Sequence, residues 1–260
     1  MKKASVVLFA LIVVLGLAFS SVSSNAQSNN PLVQKLVEFF RGVDNASIDD
    51  AVMKAKSQLN AEANQAQRNN LEKLFDSQIA TLKSRGVPQQ VLEALQDKKS
   101  AVVDNASKMT IGAGNTPFIP VIKPSYLGYH GLMSLVRNGA KEGYTYLNPS
   151  LITDKVETPN GLYYIYDVED GETMCENPEA AEKLLKEQRR SPLTAAEVIA
   201  LATHTDVLSR HFVDATGSRY DSGCVPYGWL VDGRPGLFCS WADDAYSEWG
   251  SASCGSRIRA

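Results

Sequence analysis

The sequence predicts an α+β protein: a helical N-terminal region, then a domain with a small, mainly antiparallel sheet and flanking helices. Three observations point there. Residues 31–108 carry apolar side chains at helical spacing. The composition changes at Thr110, after which aromatic and β-branched runs such as Leu162 to Val168 read as strands. Thr194, with Glu197 three residues later, forms a capping box in front of an apolar helix.

The chain opens Met1-Lys2-Lys3, followed by an unbroken apolar run of 14 residues from Val6 to Phe19 and a Ser-rich stretch ending Ser24-Asn25-Ala26. These are the three parts of a secretory signal. A bilayer-spanning helix needs about 20 residues, so residues 1–26 are expected to be a cleaved signal peptide, and the protein to be secreted or periplasmic. No cysteine follows the run, which argues against a lipid-modified terminus. No later segment is apolar enough to span a membrane, so no span is expected after cleavage. The chain left behind has 24 Lys and Arg against 29 Asp and Glu. Nucleic-acid binding would need a basic face, so that partner class is excluded.

Residues 31–108 are expected to form a helical region. Pro31 opens a helix with Leu32, Leu36, Val37 and Phe40 on one face, and Gly42 stops it. Ser47 to Asp50 begins a second helix carrying Val52, Ala55 and Leu59. Asn and Gln crowd residues 58–70, and a third stripe follows with Leu71, Leu74, Phe75, Ile79 and Leu82. Gly86-Val87-Pro88 breaks it, and a fourth helix runs from Gln89 to Ala106. The stripes are narrow, so the helices must lean on the C-terminal domain or on another chain.

Residues 117–258 are expected to form the α+β domain. Phe118 to Ile122 reads as a strand that Pro120 confines to an edge or a bulge. Leu162 to Val168 is a strand, Glu169-Asp170-Gly171 a turn, and Pro178 to Arg190 a short charged helix. The helix behind the capping box is expected to reach Leu208. Residues 225–241 form a β-hairpin. Pro235 lacks a donor, which favours a four-residue loop over Asp232–Pro235. That register sets Trp229 opposite Phe238 and Leu230 opposite Leu237. One face then holds Tyr227, Trp229, Val231 and Phe238, the other Leu230, Leu237, Cys239 and Trp241.

Several of these residues form an ordered set: Ser191-Pro192-Leu193-Thr194 with Glu197, His204 and Leu208; Gly217-Ser218-Arg219; Val225-Pro226 with Trp229; Trp241; and Gly250-Ser251-Ala252-Ser253-Cys254 with Arg257. The set resembles an uncharacterised bacterial domain-of-unknown-function family over roughly residues 117–257. The resemblance implies the domain and no chemistry. It also implies that Cys254 is a family feature that does not depend on a disulfide.

Three constellations bear on function. Export would place Cys175, Cys224, Cys239 and Cys254 in an oxidising compartment, where an even count suggests disulfides of undetermined pairing. Cys254, with His204 or His211 as base, has the residue types of a thiol-dependent enzyme. A metal site is not expected, because the cysteines lack the close pairs of zinc sites, and no cofactor is implied. The aromatic hairpin face, Tyr227, Trp229 and Phe238, suits recognition of a peptide or a glycan. An exported binding or interaction module is therefore the leading expectation, and the thiol-dependent enzyme its alternative.

Overall fold

The computed structural model describes residues 45–172, 176–221, 223–243 and 249–259. The signal segment 1–26 and the helix at Pro31 lie outside the described residues. Two compact units divide at Gln67 and Arg68. Helix α1 (Asn45–Ser84) is a single helix of 40 residues. Two helices are expected here, but the Asn- and Gln-rich stretch contains neither Gly nor Pro and is studded with Ala and Gln, so nothing in it interrupts the backbone. Gly86, at φ +82°, ends the helical run in the left-handed region.

Within residues 68–260, Leu71, Phe75, Ile79 and Leu82 are buried along one face of α1. The expected fourth helix is two, α2 (Gln89–Gln96) and α3 (Lys99–Lys108). At the break the Leu95 carbonyl accepts both the Lys98 backbone N–H and the Tyr164 hydroxyl, each at 3.2 Å. These helices share one apolar core with the strands.

A three-stranded antiparallel sheet has the order β1 (Thr116–Val121), β6 (Tyr163–Val168), β14 (Ser256–Arg259). Strand β1 is an edge, as Pro120 requires. The buried Gln78 amide donates to the Phe118 carbonyl at 2.7 Å, which gives a main-chain acceptor of that edge strand a partner. A five-stranded sheet has the order β12 (Trp249–Ser251), β8 (Phe212–Asp214), β10 (Val225–Val231), β11 (Arg234–Ser240), β4 (Tyr144–Thr145). Its two outer strands run parallel to their neighbours and the other pairs are antiparallel. The remaining helices are α4 (Pro124–Ser134), α5 (Pro178–Glu187) and α6 (Ala195–His204).

Helix α6 lies between β1 of one sheet and β10 of the other, and Ala195 through Thr203 are all buried. A helix buried all round, with Glu197 its one charged carboxylate, belongs in such a place. Both halves of the expected capping box form: the Thr194 side chain accepts from the Glu197 backbone, and the Glu197 carboxylate accepts from the Thr194 backbone. The helix stops at His204 and not at Leu208. Thr205 Oγ1 donates to the Leu201 carbonyl at 2.8 Å, and the chain turns away.

The hairpin register differs from expectation. Val231 pairs with Arg234, so Asp232 and Gly233 alone make the turn, at φ +50° and +72°. Both positive φ values mark a two-residue hairpin turn, which the Asp-Gly pair suits. Pro235 is tolerated opposite Leu230 within the ladder. Tyr227 therefore faces Phe238, and Trp229 faces Gly236. The slip from expectation is two residues, so each side chain stays on its expected face.

Candidate functional site

The inner face of the five-stranded sheet packs on α6: Leu237 is buried there, and a methyl group at Gly228 would meet Leu208 and Val198. The alternate positions point outward and are largely aromatic. Trp249, Phe212, Tyr227, Trp229, Phe238 and Tyr144 form a continuous row across all five strands, and Tyr146 extends it beyond the edge. Phe212 and Trp229, opposite each other in the register, stack at 3.7 Å and 9°. Phe212 also meets Trp249 at 5.2 Å. Tyr227 meets Phe238 at 5.8 Å, and Phe238 meets Tyr144 edge-on at 5.7 Å. Tyr146 follows at 5.2 Å and is 84% exposed. The Arg234 guanidinium sits 4.4 Å over the Tyr144 ring. The sequence-predicted residues Tyr227, Trp229 and Phe238 are thus brought together. Phe212, Tyr144 and Tyr146 were missed, although the alternation in His211-Phe-Val-Asp214 and Tyr144-Thr-Tyr146 is a strand signal.

At the covered end of the row, Asp214 and Ser251 lie on the same face, opposite each other and beside Tyr227 in the register. Both are buried, and neither oxygen of Asp214 nor Ser251 Oγ has a hydrogen-bond partner. Burial raises the Asp214 carboxyl to about 7.

The structure does not bring Cys254 and the histidines together. Cys254 is fully buried on β13 (Ser253–Cys254), paired with β7 (Ser191–Pro192). Burial pushes its thiol up to about 12, and the charged groups acting on it are Arg257, Glu197, Arg190 and Asp167. That is the reverse of nucleophile activation. His204 ends α6 and lines a cavity of about 340 Å³ with Arg85 and Arg137. Burial, and then Arg85, holds its pKa down to about 3. His211 precedes β8, so the two histidines do not share a helix. The expected disulfides are not formed among Cys224, Cys239 and Cys254, all of which are free. Cys175 lies outside the described residues. Burial and the adjoining Cys224 thiol raise the Cys239 thiol to about 11.

His204 and Asp214 give opposing pH dependences. Asp214 is raised when folded, so its contribution is complete below about pH 4 and is lost as pH rises through about 7. His204 is lowered, so its contribution is present above about pH 6.5 and is lost as pH falls toward about 3. Each is worth on the order of 4 kcal/mol, and between about pH 4 and 6.5 they cancel. Chemical denaturation across that range should show stability rising with pH in Asp214→Asn and falling in His204→Gln. An unchanged profile in both would contradict the assignment.

The acidic turn after β6 is held by two arginines. Arg190 pairs with Asp167 at 2.6 Å and with Glu169 at 3.0 Å. Arg210 pairs with Asp170 at 2.7 Å and also with Glu172. The turn lies against β12 at a spot where only glycine fits. A Cβ on Gly171, at φ +82°, would stand 2.5 Å from the Ser251 backbone, and one on Gly250 would stand 2.3 Å from the Gly171 carbonyl oxygen. This close approach sets Asp170 and Glu172 beside His211, with ligand atoms of all three within 4.8 Å of one another. Sequence spacing gave no hint of the grouping, because forty residues separate the turn from His211.

A family model described as a family of unknown function, DUF5701, matches residues 71–260. The chain belongs to DUF5701. No curated protein and no solved structure matches it. The match extends the resemblance back from residue 117 to Leu71, inside α1, where buried Leu71 begins the apolar face that packs on the strands. The DUF5701 unit is therefore one α+β body in which α2, α3 and the second half of α1 are part of the core. Among the described residues no helix is long and apolar enough to cross a membrane.

Proposed function

We propose that this DUF5701 protein is an exported binding module that uses the outer aromatic row of its five-stranded sheet to hold a glycan. The row itself carries this reading: half-buried rings cross the sheet without a break and end on a fully presented Tyr146. Rings of this kind take the C–H faces of sugar rings. A peptide added as an extra strand would need a longer edge, since β12 has three residues and β4 two. The positive n-region and apolar run of residues 2–19 support export.

The test uses the chain recovered from the exported fraction, which should begin at Gln27, in affinity electrophoresis through immobilised polysaccharides. Retention by a polysaccharide should fall about tenfold in Tyr146→Ala, and the exposed site leaves the fold unaffected. Retention that is absent for every polysaccharide, or equal in the variant, would remove the reading. Nothing in the surroundings of Cys254 favours a thiol-dependent reaction.

A further inference from the structure

We infer that Asp170, Glu172 and His211 form a site for a divalent transition cation of the Mn²⁺ or Zn²⁺ class, on the opposite face of the sheet from the aromatic row. The histidine is the independent observation. His211 is buried, with 5% of its side chain exposed. Its Nδ1 lies 2.7 Å from the Phe212 carbonyl oxygen, an acceptor only, so Nδ1 carries the proton. In the neutral imidazole Nε2 then presents a lone pair, and Nε2 has no hydrogen-bond partner. It points at Asp170 Oδ1 from 4.0 Å, beyond hydrogen-bond reach. A lone pair buried against carboxylates is unfavourable, and a metal ion between them relieves it. An imidazole whose second nitrogen is tied to a main-chain carbonyl is the arrangement that orients a metal-ligating histidine.

The carboxylates fit the same role. Arg210 occupies Asp170 Oδ2 and Glu172 Oε2, and Asp170 Oδ1 faces His211. Asp170 Oδ1 is fixed by the Glu172 backbone N–H at 3.1 Å. Arg210 thus steadies both carboxylates without taking Asp170 Oδ1. Asp206, 3.6 Å from Arg210, brings the local balance to three carboxylates and one guanidinium. That net charge is what a divalent cation neutralises. Drawing the three ligand atoms in by roughly an ångström gives the separations of about 3.4 Å that metal–ligand bonds of 2.0–2.1 Å require. A cavity of about 490 Å³ lined by Asp170, Glu172, Asp206 and Arg210 supplies the path in. One imidazole with two carboxylates suits Mn²⁺ or Zn²⁺ better than Ca²⁺, which takes oxygen alone.

The probe is Mn²⁺, which leaves the free thiols untouched. It is titrated into the metal-free full chain and followed by loss of the free-ion electron paramagnetic resonance signal. One Mn²⁺ should bind per chain, at least about tenfold more weakly in Glu172→Gln and in His211→Gln. The bound ion should broaden the His211 imidazole resonances before any other histidine's. Glu172 is half exposed, so its variant keeps the fold even if the buried His211→Gln does not. Binding unchanged in Glu172→Gln, or binding that spares the His211 resonances, would show a diffuse acidic surface and overturn the site. So would the absence of binding by a chain with native circular dichroism.

Discussion

Replacing Arg257 by Met is expected to lower the unfolding free energy by about 3–5 kcal/mol. Its guanidinium grips both oxygens of Glu197, at 2.6 and 2.8 Å, and also reaches Ser191 Oγ at 2.5 Å and the Pro192 carbonyl at 2.7 Å. Glu197 is fully buried, and its carboxylate also accepts the Tyr163 hydroxyl at 3.0 Å and the Thr194 backbone N–H at 2.8 Å. One charge pair therefore joins β14, the start of α6, β6 and β7. Removing the cation leaves a carboxylate in the interior with only neutral donors, and that uncompensated charge accounts for most of the loss. Urea denaturation of the two chains measures it. Adding Glu197→Gln should recover part of the stability, because the orphan charge is then gone. A loss below about 1 kcal/mol would mean that the carboxylate escapes to water or takes up a proton easily.

A loss of about 3–5 kcal/mol is likewise expected for Phe75→Ala. Phe75 is 2% exposed. It lies 6.3 Å from Phe118 and 6.0 Å from Tyr164, on two adjacent strands of the three-stranded sheet. Truncation opens a ring-sized void that rigid strands cannot close. The same substitution in a helix that only rested on the surface would change stability by less than about 0.5 kcal/mol. Thermal or urea unfolding thus decides whether the second half of α1 belongs to the folding unit. A small effect would place the unit's start after the helices.

The parts of the fold legible in the sequence were those written locally. Thr194 and Glu197 announce their helix because a capping box is a contact across three residues. Pro120 announces an edge because it lacks a donor. The hairpin faces survived a wrong turn because an error of two residues does not exchange them. What failed depended on distant partners. Helix α2 ends at Gln96, where the Leu95 carbonyl meets the Tyr164 hydroxyl, and no signal at residues 97–98 says so. The Asp170, Glu172 and His211 grouping rests on two glycines that allow two backbones to touch. Cysteine and histidine content suggested an enzyme, yet topology sets Cys254 among arginines and carboxylates and the histidines elsewhere.

The parallel outer strands of the five-stranded sheet have a consequence for behaviour at high concentration. The seven-residue strands β10 and β11 would, if either lay at the margin, offer a long ladder of unpaired main-chain groups to another molecule. Instead β8 and β12 flank one and β4 flanks the other, so the sheet ends in strands of three and two residues. A margin that short gives a second chain too little to grip. The sheet can present a broad aromatic surface and still resist edge-to-edge aggregation.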